Sequence, residues 1–259
     1  MQNLGYNGLN KARIIGKIIT EPEQNFCSKN FNSELWFTIL KIELKIKDKE
    51  KTKFIPVLTQ SKKVADNLKK AFENKATIML WGKIVCESQT GLFEYYVLAK
   101  HSEIALDNYE KKRKDAIKLF GHIIKNPVKN LSTKNYDQYK VLLCCPYKVA
   151  KDADQQSALP NYERKYDTIG GFYIVEPGQE FPYRVLDKVF CHADFFNREE
   201  KNRLCKNSSM PSVGIRFSTI APAEKLSDEE RSKLTYFDIS KKTLIEFDEK
   251  YKGGPDREI

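Results

Sequence analysis

Lys41, Lys45, Lys47, Lys49, Lys51 and Lys53 fall at nearly every second residue, with Glu43 interrupting the row. Alternate side chains of an extended strand share a face, so this spacing predicts ammonium groups on one face and Ile42, Leu44 and Ile46 on the other. Such a row can follow a polyanion backbone, each neutralised phosphate releasing counterions. The same spacing also fits a lysine-blunted hairpin that resists edge-to-edge aggregation. Trp36, Phe54, Trp81, Tyr95 and Tyr96 are candidates for stacking on flat ligands, and Lys83 adds to the cationic set. Trp36 has the opposite strand parity to Phe37 and Ile39, and one of those two sets must face outward. Of Tyr95 and Tyr96, one is expected in a core and the other exposed.

Bond-making chemistry has little to work with. His101, His122 and His192 lie in unrelated contexts, and the chain holds no GxSxG, no HExxH and no phosphate-cradling glycine loop. Asp194 and Glu199-Glu200 lie in what reads as a solvated loop. Cys27, Cys86, Cys144, Cys145, Cys191 and Cys205 form no CxxC pair. They read as reduced thiols, with Cys144 and Cys145 on opposite faces of one strand. A zinc site from Cys191, His192 and Cys205 has a spacing that fits no common pattern. The expectation is a non-enzyme without metal or cofactor.

The net charge of +10 is uneven. Residues 1–118 hold 22 Lys/Arg against 14 Asp/Glu, and residues 119–259 hold 23 against 21. Polyanion contact is therefore expected of the first part. The sequence has no run of 18 apolar residues and no positive-then-apolar leader. The expected location is the cytoplasm, in association with the nucleoid, or a nucleus or organelle in a eukaryote.

The elements that must carry these residues are strands. Lys11–Thr20, Leu35–Lys47 and Thr52–Thr59 read as three strands, with Pro56 implying an edge or a bulge. Gln60–Asn74 is a helix with Ser61 as its N-cap and Val64, Leu68, Ala71 and Phe72 on one stripe. Ala76–Glu87 and Leu92–Lys100 follow as two more strands. The order β-β-β-α-β-β is that of a five-stranded barrel plugged by one helix.

The pattern then returns 105 positions on. Arg13-Ile14-Ile15-Gly16-Lys17-Ile18-Ile19 recurs as Lys118-Leu119-Phe120-Gly121-His122-Ile123-Ile124, and Pro22 as Pro127. A repeat that long reads as a duplicated domain. A glycine present in both copies points to a backbone requirement rather than a chemical one. Strands are expected at Ile117–Ile124, Tyr139–Ala150, Thr168–Val175, Tyr183–Cys191 and Val213–Ile220, around a polar loop at 151–165. Glu176-Pro177-Gly178 and Pro182 exclude a helix where the first copy has one. A short helix opening at Ser227-Asp228-Glu229-Glu230 and a strand at Thr243–Phe247 are expected after the second copy. The predicted domains are 1–108, a charged linker at 109–116, and 117–259 with an insertion at about 192–212.

Asn10–Ile18, Glu21-Pro22-Glu23, Phe37-Thr38-Ile39, Lys62–Leu68 and Leu80-Trp81-Gly82-Lys83-Ile84 follow one another in a recognisable order. In these motifs and their spacing, residues 8–106 resemble the bacterial-type single-stranded DNA-binding proteins of the OB fold. The resemblance implies an all-β chain with a minor helix, built as two tandem OB domains, each a five-stranded Greek-key barrel, the second degenerate. It implies binding of single-stranded DNA without sequence readout, in replication, recombination or repair, with homo-oligomers or replication and recombination proteins as partners. Single-stranded RNA fits the fold equally, and a protein-interaction scaffold is the rival reading. The family's base-stacking positions correspond here to Lys45, to Lys53 or Phe54, and to Gln89. Its acidic tail has no counterpart in Gly253–Ile259, so docking through such a tail is not carried over.

Overall fold

Alternation of apolar and polar residues over long stretches gives strands, and strands account for every element but one in the computed structural model. It describes residues 9–26, 35–46, 49–88, 93–104, 115–150, 162–185, 187–197 and 213–224. The first half contains β1 (Leu9–Ile18), β2 (Glu23–Phe26), β3 (Leu35–Ile46), β4 (Lys49–Thr59), α1 (Lys62–Glu73), β5 (Thr77–Ser88) and β6 (Phe93–Ile104). The second contains β7 (Asp115–Ile123), β8 (Val128–Ser132), β9 (Asp137–Ala150), β10 (Tyr162–Val175), β11 (Lys188–Asn197) and β12 (Val213–Glu224). The predicted linker residues 109–114, the loop at 151–161, most of the insertion (198–212) and both elements expected after Glu224 lie outside the described residues.

In the first half the hydrogen-bonded order is β3-β4-β6-β5-β1, and β1 closes the ring by pairing with β3 at Lys17–Lys41 and Ile18–Leu40. This is a closed five-stranded OB barrel. Its interior takes Ile14, Leu40, Ile42, Ile55, Val57, Ile78, Leu80, Ile84 and Val97, all fully buried. The short strand β2, absent from the sequence reading, continues the sheet outside β3. Ser61 caps α1 as expected, its Oγ accepting from the Val64 N–H at 3.4 Å. Val64, Ala65, Leu68 and Ala71 form the buried stripe, while Lys62, Lys63, Lys69 and Lys70 are exposed. Pro56 sits inside β4, paired with Ile39 of β3 and one residue before that strand's pairing with β6 begins at Val57.

In the second half the order is β9-β10-β12-β11-β7, closed by β7 pairing with β9 at His122–Cys144 and Ile123–Leu143, with β8 outside β9. The ring order matches the first strand for strand. No helix lies between β10 and β11 among the described residues. There the chain turns at Gly178 (φ 79°), and Phe181 packs against Tyr139, Tyr173 and Tyr183 with ring centroids 5.7–5.8 Å apart. The Tyr183 hydroxyl donates to the Ile220 carbonyl at 3.1 Å. Aromatic rings thus fill space between strands here, whereas α1 packs on the first ring. The fourth strand of this half starts later than the sequence suggests and runs on to Asn197, into the stretch expected to be a loop.

The recurring glycine has a backbone cause. A Cβ on Gly16 would fall on the Lys41 carbonyl oxygen, and one on Gly121 would fall on that of Cys144. Each glycine lies where the first strand of its ring crosses the strand that closes it.

Two compact units can be distinguished, one of residues 11–117 with 193–216 and the other of residues 1–10, 118–192 and 217–259.

Candidate nucleic-acid interface

The β3–β4 hairpin carries the lysine row, and its register decides where the charges go. Directly opposite pairs are Leu40–Ile55, Lys41–Phe54, Ile42–Lys53, Glu43–Thr52 and Leu44–Lys51, and such pairs share a face. The core requires Leu40, Ile42, Ile55 and Val57 to point inward. Lys53 and Lys51 therefore share the inward parity with Ile42 and Leu44, while Lys41 and Glu43 point outward. The expectation of one lysine face is corrected by the core: Lys41 points outward, whereas Lys51 and Lys53 share the inward parity. Along the backbone the pairing continues as Lys45–Glu50 and Ile46–Lys49. Lys47 lies outside the described residues.

Lys51 is exposed, and Lys41 forms a surface ion pair with Glu43 at 2.7 Å. Such a pair contributes little to stability and leaves the ammonium within reach of solvent. Lys53 differs: its side chain is only 13% exposed, and its Nζ lies 2.6 Å from Asp115 Oδ2 and 3.3 Å from Asp194 Oδ2. Arg216 grips Asp194 from the other side through Nε (3.2 Å) and Nη2 (2.7 Å). Two buried carboxylates thus hold two cations, the Lys53 ammonium and the Arg216 guanidinium. Asp194, expected in a solvated loop, is buried on β11 for the same reason. Beside it, the Phe54 N–H donates to Asn197 Oδ1 (2.7 Å) and Asn197 Nδ2 donates to the Phe54 carbonyl (2.8 Å).

The aromatics divide between layers. Tyr95 and Tyr96 are both buried, so the expectation that one is exposed is corrected. Tyr95 shares its parity with the core residue Val97. Tyr96 joins an outer apolar cluster with Leu35, Leu58, Val85 and Leu98, flanked by Phe37, so both sheet faces are dry at this point. Trp36 is half-buried opposite Thr59, on the inward parity with Thr38. Trp81 is half-buried on the outer face of β5, between Arg13 on β1 and His101 on β6, at the register shift before Gly82. Lys83, also half-buried, follows on the same face. In the ring, one strand lies between this pair and the hairpin on either side, β1 toward β3 and β6 toward β4. Gln89 lies outside the described residues.

A further face went unnoticed in the sequence. On β8, β9 and β10 the registers place Val128, Lys140 and Phe172 in one rung and Leu131, Gln138 and Ile174 in another. Leu142 and Gly170 extend the same outer face. Val128 (50%), Leu131 (42%) and Ile174 (43%) are three of the four exposed large hydrophobics among the described residues. The reverse side holds Tyr139, Val141, Leu143 and Ile169, all buried. Behind the edge, Asp137 accepts from Lys129 (2.8 Å), Ser132 (2.6 Å) and the Gly178 N–H (2.9 Å), and these bonds hold its carboxyl down to about 2. The available signal was apolar residues at both parities of β9 and β10, beside Gly170-Gly171.

Cys144, Cys145 and Cys191 are buried free thiols, and desolvation raises the pKa of all three, to about 12 for Cys144 and Cys191. Cys27 and Cys205 lie outside the described residues. Among the described residues no helix is long and apolar enough to cross a membrane.

No family model and no curated protein matches the chain. Among solved structures, the wild-type single-stranded DNA binding protein from Thermus aquaticus is similar at 12% identity. That likeness covers 88% of this chain and 100% of the other at a TM-score of 0.54. A deletion mutant of the same protein gives 13% identity, 87% and 100% coverage and a TM-score of 0.54. A Plasmodium falciparum SSB complex with ssDNA is a weak likeness, at 16% identity, 41% and 100% coverage and a TM-score of 0.28. At these identities the likeness is one of fold, and the fold is that of the OB-type single-stranded DNA-binding proteins.

Proposed function

We propose that the chain binds single-stranded DNA without sequence specificity, in replication, recombination or repair. The observation that carries this reading is the β3–β4 hairpin, which runs as a lysine-bearing ribbon beyond the pairs that close an OB barrel. Lys41, Lys45, Lys47, Lys49 and Lys51 are its phosphate contacts, and Lys53 is withdrawn from the set. The outer face of β8–β10 adds an aromatic ring at Phe172 with Lys140 beside it, suited to unstacked bases and a phosphate. On this reading residues 1–108 form the DNA-gripping domain, 109–116 a linker and 117–259 a second OB copy. Homo-oligomers and replication or recombination proteins are its protein partners.

One observation favours a rival. Exposed Val128, Leu131 and Ile174 also suit a protein-interaction scaffold. Fluorescence-anisotropy titration with oligo-dT, oligo-rU and duplex DNA at two salt concentrations separates the two. The proposal expects oligo-dT to bind more tightly than duplex and to weaken steeply with salt. A folded protein that binds none of the three at low salt hands the case to the scaffold.

A further inference from the structure

We propose that Asn197 is a positioning residue for the lysine ribbon: it holds β4 at the ribbon's root, so that the ammonium groups beyond it meet the strand already ordered. The inference rests on the single-stranded DNA reading above.

At Phe54 the chain leaves the barrel. The pairing of β4 with β6 lies at Val57 and Leu58, and from Phe54 to Lys49 β4 is laddered to β3. A two-stranded ribbon by itself is marginally stable in water. Its first free rung would expose the Phe54 N–H and carbonyl that a neighbouring strand normally engages. Asn197 engages both, at 2.7 and 2.8 Å, its side-chain amide doing what the peptide of a neighbouring strand would do. One residue earlier, Lys53 is fixed by Asp115 and Asp194, and Asp194 by Arg216. Backbone and side chain of consecutive residues are thus tied at the last rung before the ribbon. All of these partners belong to the same compact unit as the hairpin.

A ribbon held at its root loses less conformational freedom when it binds, and affinity rises by that difference. Asn197→Ala is therefore expected to weaken oligo-dT binding about tenfold, the effect of ordering one or two further groups on binding. The log–log salt slope stays that of the wild type, because no phosphate contact is removed. Amide hydrogen exchange of residues 49–54 speeds up in the free variant while the rest of β3–β6 keeps its protection. Asn197→Ser, which retains a hydroxyl for one of the two bonds, falls between the two proteins and serves if the alanine variant does not fold.

Wild-type affinity in a variant with faster exchange would overturn the inference and make Asn197 a structural tie only. A reduced salt slope would also overturn it, showing that Asn197 touches the strand itself. If the wild-type protein does not bind oligo-dT, the functional reading fails separately. The clamp is then judged by exchange alone, and unchanged protection of residues 49–54 sinks it.

Discussion

The outer face of β3–β4 and the outer face of β9–β10 occupy corresponding places in their rings, yet one is dry and the other open. In the first, Leu35 and Leu58 are fully buried with Tyr96 and Leu98, and on the opposite, inward parity the ammonium of Lys53 is taken up by aspartates. In the second, Phe172, Lys140, Gln138 and Ile174 stand on a sheet whose reverse side is closed. Two strand pairs with one topology have been put to different uses. The first keeps a packed body and sends its charge outward along a hairpin, while the second keeps its apolar surface available. The sequence-level asymmetry in charge, a basic first part and a near-neutral second, matches this division.

The sharpest way to break the comparison is at Lys53. Lys53→Met removes the cation shared by buried Asp115 and Asp194 and should cost about 3–5 kcal/mol of stability, read by denaturant unfolding. A loss below about 1 kcal/mol, the scale of a surface pair, would mean that Lys53 is solvated and available to DNA after all. Next come the two faces themselves. Leu58→Ala should destabilise by about 2–5 kcal/mol, and Ile174→Ala should stay within about 0.5 kcal/mol of the wild type. Equal losses would erase the distinction between a packed and an open face.

Phe172→Ala tests what the open face is for. It should weaken oligo-dT binding by about 1–3 kcal/mol in an anisotropy titration while the unfolding midpoint barely moves. Unchanged binding would assign the face to a protein. For the ribbon, replacing Lys45, Lys47, Lys49 and Lys51 by alanine should lower the log–log salt slope by about 0.7 per lost phosphate contact. An unaltered slope would reduce the ribbon to a solubilising edge.

The smallest effect concerns Asp137 at the margin of the open face. Its carboxyl is held at about 2, below its ordinary value of 3.8, by the bonds from Lys129, Ser132 and Gly178. Its contribution to stability is present above pH 4 and is lost as pH falls toward 2. The melting temperature of Asp137→Asn should therefore lie below that of the wild type at pH 5 and converge with it near pH 2. A gap that persists at pH 2 would show that packing, not charge, is what Asp137 provides.

The five barrel strands of the first half, the helix and its cap were legible because each rests on local rules: alternation in strands, a 3.6-residue stripe over Val64–Ala71, and a serine before it. So was the loss of the second helix, since two prolines and Gly178 forbid it. Facing was not legible. Parity says which residues share a face, but the side on which Lys51 and Lys53 lie follows from the core choosing Ile55 and Val57, a tertiary decision. Tyr95 and Tyr96 misled for a related reason, because a sheet with a second apolar layer buries both parities. Asp194 and Asn197 lay beyond reach because their partners, Lys53 and Phe54, are more than 140 residues away.

Gly16 and Gly121 bear on how such a chain drifts over time. At each of them a single added carbon meets a carbonyl oxygen, as one on Gly82 of β5 would meet that of Leu98, so these positions leave no room for a side chain. Substitutions elsewhere on the first strands can be absorbed by side-chain repacking, whereas here the obstacle is main chain. A saturation library scored for folding would therefore show intolerant columns at Gly16, Gly82 and Gly121.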